Sequence, residues 1–241
     1  MLEAGFWGFV GGAALLVGAL IGLYLPVSNR MVGIVMSFGA GVLVSALSFE
    51  LTEEAYEAGG ATAVIVGLSA GSLVFFAGDW LIDRRGGDRR KNPMGMQEGG
   101  AAAALVLGAL LDGIPESIAI GASLIEGGAV GLTVVAAVFM SNVPESMAAS
   151  IGMKASGRST RHILLLWLAV AVACTVAAAL GYGLLSGSEP ITVAVIQAFA
   201  AGAILTMLVD TMLPEALEHA GPLAGVVASV GFITAFILSV A

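Results

Sequence analysis

Two short motifs place carboxylates inside stretches that are otherwise apolar. The first, DGIPES, covers Asp112–Ser117, and the second, SNVPES, covers Ser141–Ser146. Asp112 and Glu116 are four residues apart and so share one face of a helix, while Glu145 shares a face with the serine and asparagine that open its own motif. Carboxylates combined with hydroxyl and amide oxygens are ligands that divalent cations accept.

A proline directly precedes the glutamate of each motif. Pro115 removes the backbone donor that would bond the carbonyl of Leu111, and Pro144 does the same to Met140. Loosened backbone at membrane depth is tolerated where it faces protein or a wet cavity. We therefore expect the two kinked helices to face each other across a polar cavity.

A carboxylate in hydrocarbon costs about 2.5–3.5 kcal/mol on insertion scales. No lysine or arginine lies within the apolar stretches to offset that cost. The carboxylates are therefore either protonated or neutralised by a cation taken from solution. The second reading predicts a metal site made of Asp112, Glu116, Ser141, Asn142 and Glu145. We further predict that five residues, here called the path residues, lie where an ion reaches or leaves this site: Glu50, Met140, Met147, Asp210 and Glu215.

The elements that position these residues are membrane-spanning helices. The chain has 241 residues, of which 59% are apolar and 11% charged, and its mean hydropathy is +1.02. A soluble domain carries about 25% charge. The pattern predicts an all-α polytopic membrane protein with eight transmembrane helices, forming one integral membrane domain over residues 1–241. The predicted spans cover about residues 5–26, 32–51, 61–82, 100–124, 129–151, 162–185, 191–213 and 222–241. The fourth, fifth and seventh each contain at least one carboxylate.

The basic residues predict an orientation. All nine lysines and arginines fall between spans one and two, three and four (the loop at about residues 83–99), or five and six. The positive-inside rule makes that side cytoplasmic, so both termini are expected outside a cell membrane. The opposite loops are acidic, which would attract cations.

The chain also resembles itself. Ala40–Glu57 aligns without gaps to Ala201–Glu218, with identical residues at Ala40, Gly41, Leu47, Glu54, Ala55 and Glu57. Predicted spans two and seven run in opposite directions, as do spans four and five. This pattern favours a 3+2+3 arrangement with an inverted repeat, an architecture typical of transporters.

On DGIPES, SNVPES and the segment LPEALEHAG after span seven, the chain resembles ZIP (ZRT/IRT-like) metal transporters, most closely the GufA-like prokaryotic branch. The resemblance covers nearly the whole chain. It implies transport of divalent metals, chiefly zinc, iron or manganese, toward the cytoplasm, through a site formed by spans four and five and by an elevator-like or rocking motion.

The chain departs from that family's pattern at its ligands. Asp112 and Gly113 stand where the family usually has His-Asn, and Ser141 and Asn142 stand where it has His or Gln followed by Asn or Asp. The glutamates match. Without imidazoles the site is rich in oxygen, which suits manganese, magnesium or calcium better than zinc. The cargo ions considered are zinc, manganese, iron, cadmium and cobalt, with no organic cofactor.

Two other functions stay open: a non-transporting metal sensor or scaffold of the same fold, and a proton-linked carrier of small organic cations. We expect no enzymatic activity and no nucleic-acid partner, since the sequence contains no P-loop, dinucleotide fingerprint or HExxH motif. Two pairs of glycines spaced four apart in span one, Gly8 with Gly12 and Gly18 with Gly22, predict close helix packing. Glycine-rich faces of this kind would allow a homodimer.

Overall fold

The structure, a computed structural model, describes residues 1–84, 101–127 and 131–240, and the regular elements in these ranges are all helical. Most of the predicted loop at about residues 83–99 lies outside them. The helices are α1 (Leu2–Tyr24), α2 (Asn29–Ala46), α3 (Glu53–Arg84), α4 (Ala101–Gly127), α5 (Leu132–Ala155), α6 (Thr160–Leu185), α7 (Pro190–Met207), α8 (Leu213–Ala220) and α9 (Leu223–Val240).

Seven helical stretches of the described chain are long and apolar enough to cross a membrane. The longest, Asn29–Arg84, has 56 residues and joins the predicted second and third spans. The non-helical connection predicted between them was wrong, because helix continues up to a kink at Gly60, where φ is 69° and ψ is −177°. A glycine adopts this φ without steric cost. At 1.5 Å per residue the stretch would be roughly 84 Å long if straight, far more than the ~30 Å of one hydrocarbon core.

Local signals explain where several helices begin. Ser28 caps α2, its Oγ accepting a hydrogen bond from the backbone N–H of Met31 at 3.3 Å, and Ser159 caps α6 in the same way through His162 at 3.3 Å. Pro190 opens α7, where its missing N–H costs no helical hydrogen bond. These starts lie within about three residues of the predicted spans.

Two π-helical turns interrupt the helices that the sequence alignment relates. One covers Leu47–Thr52, between α2 and α3, and the other covers Leu208–Met212, between α7 and α8. In the first, the Thr52 hydroxyl donates to the carbonyl of Leu47, five residues back, at 2.7 Å. The alignment that pairs Ala40 with Ala201 also pairs the first residues of the two π-helical turns. Such turns are rare and frequent at functional sites.

The helix contacts follow the same internal relation. Glycines of the related helices meet partner backbones so closely that a Cβ would overlap them, and the contacts form two matching sets. In one set Gly41 meets Ala228 and Gly231 meets Phe38; in the other Gly202 meets Leu68 and Gly71 meets Phe199. The packing of α2 on α9 therefore has a counterpart in the packing of α7 on α3.

The glycines of α1 are used within the chain, on two faces of that helix. Gly8 and Gly12 pack against α6, while Gly18 and Gly22 pack against α5. The close packing predicted for these glycines is confirmed. Because partners in the same chain occupy both faces, these four glycines do not supply a surface for a homodimer.

The motif-bearing helices α4 and α5 each pack mainly on another helix: α4 on α6 and α5 on α1. They approach one another only over a short stretch. The two motifs meet on that stretch, which contains the candidate site. The polar cavity expected between the helices stays a prediction.

Candidate metal site

Glu116 and Ser141 form the contact between the two motifs. The Ser141 hydroxyl oxygen lies 3.1 Å from Glu116 Oε1 and 2.9 Å from the carbonyl oxygen of Val138. Glu116 is 1% exposed and Ser141 is 2% exposed. The glutamate that follows Pro115 on α4 and the first residue of the SNVPES motif therefore meet in the interior.

One oxygen of Glu116 lacks a partner within the described chain. Its Oε2 is buried and makes no hydrogen bond to any described residue. The carboxyl of Asp112, one turn earlier on α4, lies within electrostatic range and is also buried. Leaving a buried acceptor unsatisfied costs about 1–3 kcal/mol, more for a charged group. The site thus holds acceptor capacity that a proton or a cation would use.

Asn142 is fixed by the backbone of α1. Its Nδ2 donates a hydrogen bond to the carbonyl oxygen of Gly11 at 3.1 Å, and the side chain is buried. That bond orients the amide, so that its oxygen points away from Gly11. Asn142 therefore links α5 to α1, and the same bond fixes the direction of its amide oxygen.

Glu145 is the least buried of the predicted ligands. Its side chain is partly exposed, and it shares with Glu116 a third neighbour, Cys174 of α6, which lies within electrostatic range of both glutamates. The thiol packs on the DGIPES motif, with Sγ 3.8 Å from the carbonyl oxygen of Gly113. Cys174 is not among the residues that the sequence predicts for the site.

The predicted carboxylates do not converge. No three His, Cys, Asp or Glu side chains among the described residues lie close enough together to hold a metal ion. What the structure does bring together is Glu116 with Ser141, and Asp112 with Glu116. Glu145 lies within electrostatic range of Cys174, as Glu116 does.

The carbonyl freed by Pro144 faces α2. A Cβ placed on Gly39 of α2 would lie 2.9 Å from the carbonyl oxygen of Met140 and 3.1 Å from Cε of Met212. The glycine thus leaves room for the freed carbonyl beside the site. This contact involves the backbone carbonyl of Met140 and not its side chain.

The path residues are spread along the interior. Thr133 of α5 donates a hydrogen bond to Glu50 in the first π-helical turn, and Asp210 lies partly buried in the second. Glu215 is buried on α8, its Oε1 3.9 Å from Nε2 of His219, and both atoms lack a hydrogen-bond partner among the described residues. The remaining path residue, Met147, belongs to the apolar core.

Sequence reasoning missed two buried polar residues. Asp79, in the predicted third span, is 4% exposed, and its neighbour Gly78 packs against Leu111 just before the DGIPES motif. Gln197 of α7 is 0% exposed and donates from Nε2 to Glu54 Oε2 at 3.2 Å. Each is the single polar residue of an apolar stretch of sequence. Polar residues within membrane spans are often functional, and this rule could have identified both.

The helices and the buried carboxylates define a multi-pass membrane protein with polar groups at membrane depth. The family described as ZIP zinc transporter matches residues 83–240, more than half of the chain. The chain belongs to the ZIP family of metal transporters.

A curated relative comes from Arabidopsis thaliana. It bears the name "Putative zinc transporter" and is 26% identical over 213 residues, which cover 87% of this chain. The match covers 34% of the relative, so the chain spans about a third of its length.

Proposed function

We propose that this protein is a carrier that moves divalent metal cations toward the cytoplasm through the Glu116–Ser141 region. The observation that carries the proposal is the buried Glu116 carboxyl, with Oε1 bonded to Ser141 and Oε2 without a partner among the described residues. In a member of a metal-transporter family, a cation is the partner that such a group is built to receive.

The arrangement proposed for the chain is eight spans in a 3+2+3 inverted repeat, within one membrane domain over residues 1–241. The kink at Gly60 supports an eighth span, because the 56-residue stretch Asn29–Arg84 is long enough for two crossings. The aligned π-helical turns and the matching glycine contacts support the repeat. The basic loops support a cytoplasmic-membrane protein with both termini outside.

The proposed ligands are Asp112, Glu116, Ser141, Asn142 and Glu145. Because the carboxylates do not converge in the structure, an ion would bind first at Asp112 and Glu116 and draw in the partly exposed Glu145. The set contains only oxygen donors, which favours manganese over zinc. The same motif residues support placing the chain in the GufA-like prokaryotic branch.

The test is uptake into proteoliposomes with manganese, zinc, iron, cadmium and cobalt. The variant Glu116→Gln/Glu145→Gln preserves side-chain size and removes two charges, so we expect its uptake of every ion to fall to background. Glu3→Gln, an exposed carboxyl on α1, is the matched control and should transport like the wild type.

Each outcome separates the alternatives. Unchanged metal uptake in the double variant refutes the carrier site proposed here. Metal binding without flux in verified proteoliposomes points to a sensor or scaffold. Flux that follows pH but ignores added metal points to a proton-linked carrier of organic cations.

A further inference from the structure

A second acidic site lies at the end of the fold opposite to α8. A cavity of about 430 Å³ opens between the beginning of α3, the end of α4 and the beginning of α7. Glu54 and Glu57 line it, together with Ile125, Ser188 and Val193. The two carboxylates are three residues apart and share a helix face. Among the described residues, no lysine or arginine lines the cavity.

Gln197 lies beneath this cavity, one helical turn beyond Val193. Its side chain is 0% exposed, and its Nε2 donates to Glu54 Oε2 at 3.2 Å. Its Oε1 is buried and has no hydrogen-bond partner within the described chain. The amide that bonds Glu54 through its nitrogen thus holds an unused acceptor oxygen on the same group, close to a carboxylate where a positive charge would be stabilised.

The internal repeat shows that packing alone does not require an amide here. The alignment that pairs Ala40 with Ala201 pairs Gln197 with Met36, which is buried in the apolar core at 2% exposure. The corresponding position therefore accepts an apolar side chain of similar length. Gln197 carries polarity that its counterpart lacks.

We infer that Glu54, Glu57 and Gln197 form an outer binding site for a divalent cation, separate from the Glu116–Ser141 region. The two carboxylates balance the ion's charge, and the amide oxygen adds a neutral ligand. The terminal torsion of a glutamine is roughly two-fold, so Gln197 exchanges its nitrogen and oxygen by one rotation. It donates to Glu54 without metal and accepts the metal when the ion arrives.

This inference rests on the proposed function, because it places the outer site on the path of a transported cation. The test therefore measures binding without flux. In the Glu116→Gln/Glu145→Gln background, Mn²⁺ bound to protein in nanodiscs is counted by electron paramagnetic resonance. We expect about one ion per chain to remain bound in that background, and Glu54→Gln to abolish it. Gln197→Met should weaken it about tenfold or more.

Matched variants keep the result interpretable. Glu53→Gln changes an exposed neighbour that does not line the cavity and should leave binding unchanged. Glu57→Gln changes an exposed cavity residue at little folding cost and should weaken binding even where Glu54→Gln impairs folding. With the central glutamates intact, Gln197→Met should raise the uptake KM severalfold and leave the maximal rate nearly unchanged, which a merely structural role would not do.

The outcomes distinguish the two sites. No residual Mn²⁺ in the double variant, or residual Mn²⁺ unaffected by Glu54→Gln and Glu57→Gln, overturns the outer site and leaves the central one standing. Residual Mn²⁺ that depends on these residues, in a protein whose uptake never depended on Glu116, overturns the central site and leaves the outer one standing.

Discussion

The glycine faces of α1 give a graded prediction. Replacing Gly5, Gly22 or Gly18 by alanine adds the same methyl group to one helix at three distances from its neighbours. At Gly5 the nearest atom to the new Cβ is 3.7 Å away, an ordinary contact. At Gly22 the carbonyl oxygen of Met147 lies 2.5 Å away, and at Gly18 the Cβ overlaps the carbonyl of Val143.

The expected magnitudes follow from these separations. Gly22→Ala places its Cβ about 0.9 Å inside an ordinary contact distance of 3.4 Å, against backbone that cannot rotate away. Overpacking of this kind costs about 1–3 kcal/mol, and Gly18→Ala should cost more. Gly5→Ala should be neutral or stabilising by up to about 1 kcal/mol, because alanine is the better helix former. The predicted order of stability is Gly5→Ala, then Gly22→Ala, then Gly18→Ala.

The assay is denaturant unfolding of the purified protein in mixed micelles, followed by circular dichroism. Metal uptake is measured on the same preparations, because α1 packs against α5, the helix that carries Ser141 and Asn142. Gly18→Ala should lose uptake together with stability. Equal stability of Gly5→Ala and Gly18→Ala would show that α1 does not approach α5 as closely as the structure has it.

Two further predictions concern hydrogen bonds of the interior. Ser141→Ala removes the hydroxyl donor that lies 3.1 Å from Glu116 Oε1, so metal uptake should fall severalfold. Ser141→Thr keeps a hydroxyl and should restore uptake. Loss of uptake in both variants would point to packing instead. Trp167 Nε1 donates to Ser150 Oγ at 2.9 Å, so a double-mutant cycle of Trp167→Phe with Ser150→Ala should show about 0.6–1.7 kcal/mol of coupling, and additive effects would contradict this bond.

The helices could be predicted because apolar runs of about twenty residues admit few other structures in a bilayer. The helical connection between the predicted second and third spans, at residues 52–60, could not be predicted in this way. Glu53, Glu54 and Glu57 made it read as a loop, yet glutamate is a good helix former, and only Gly60 interrupts the helix. The π-helical turns leave no mark in composition, since one extra residue per turn depends on packing.

The candidate site divides in the same way. Glu116 and Ser141 were predictable because each belongs to a motif in which several polar residues share a helix face. Gln197 was not, since its partner Glu54 lies 143 residues away in the chain and neither has a local motif. The position of Cys174 beside the DGIPES motif depends on where α6 packs against Gly113, and helical periodicity alone does not specify that contact.

The internal repeat relates two ends of the fold that carry different side chains. Glu54 and Glu215 occupy aligned positions on helices packed antiparallel, since Gly33 meets His219 at one end and Glu54 meets Gln197 at the other. Glu54 has an amide as its neighbour, whereas Glu215 has the imidazole of His219. Amide and carboxylate oxygens suit harder ions, while imidazole suits zinc and its neighbours. A backbone symmetry that treats the two ends alike therefore carries different ligand chemistry at each end, an amide beside Glu54 and an imidazole beside Glu215.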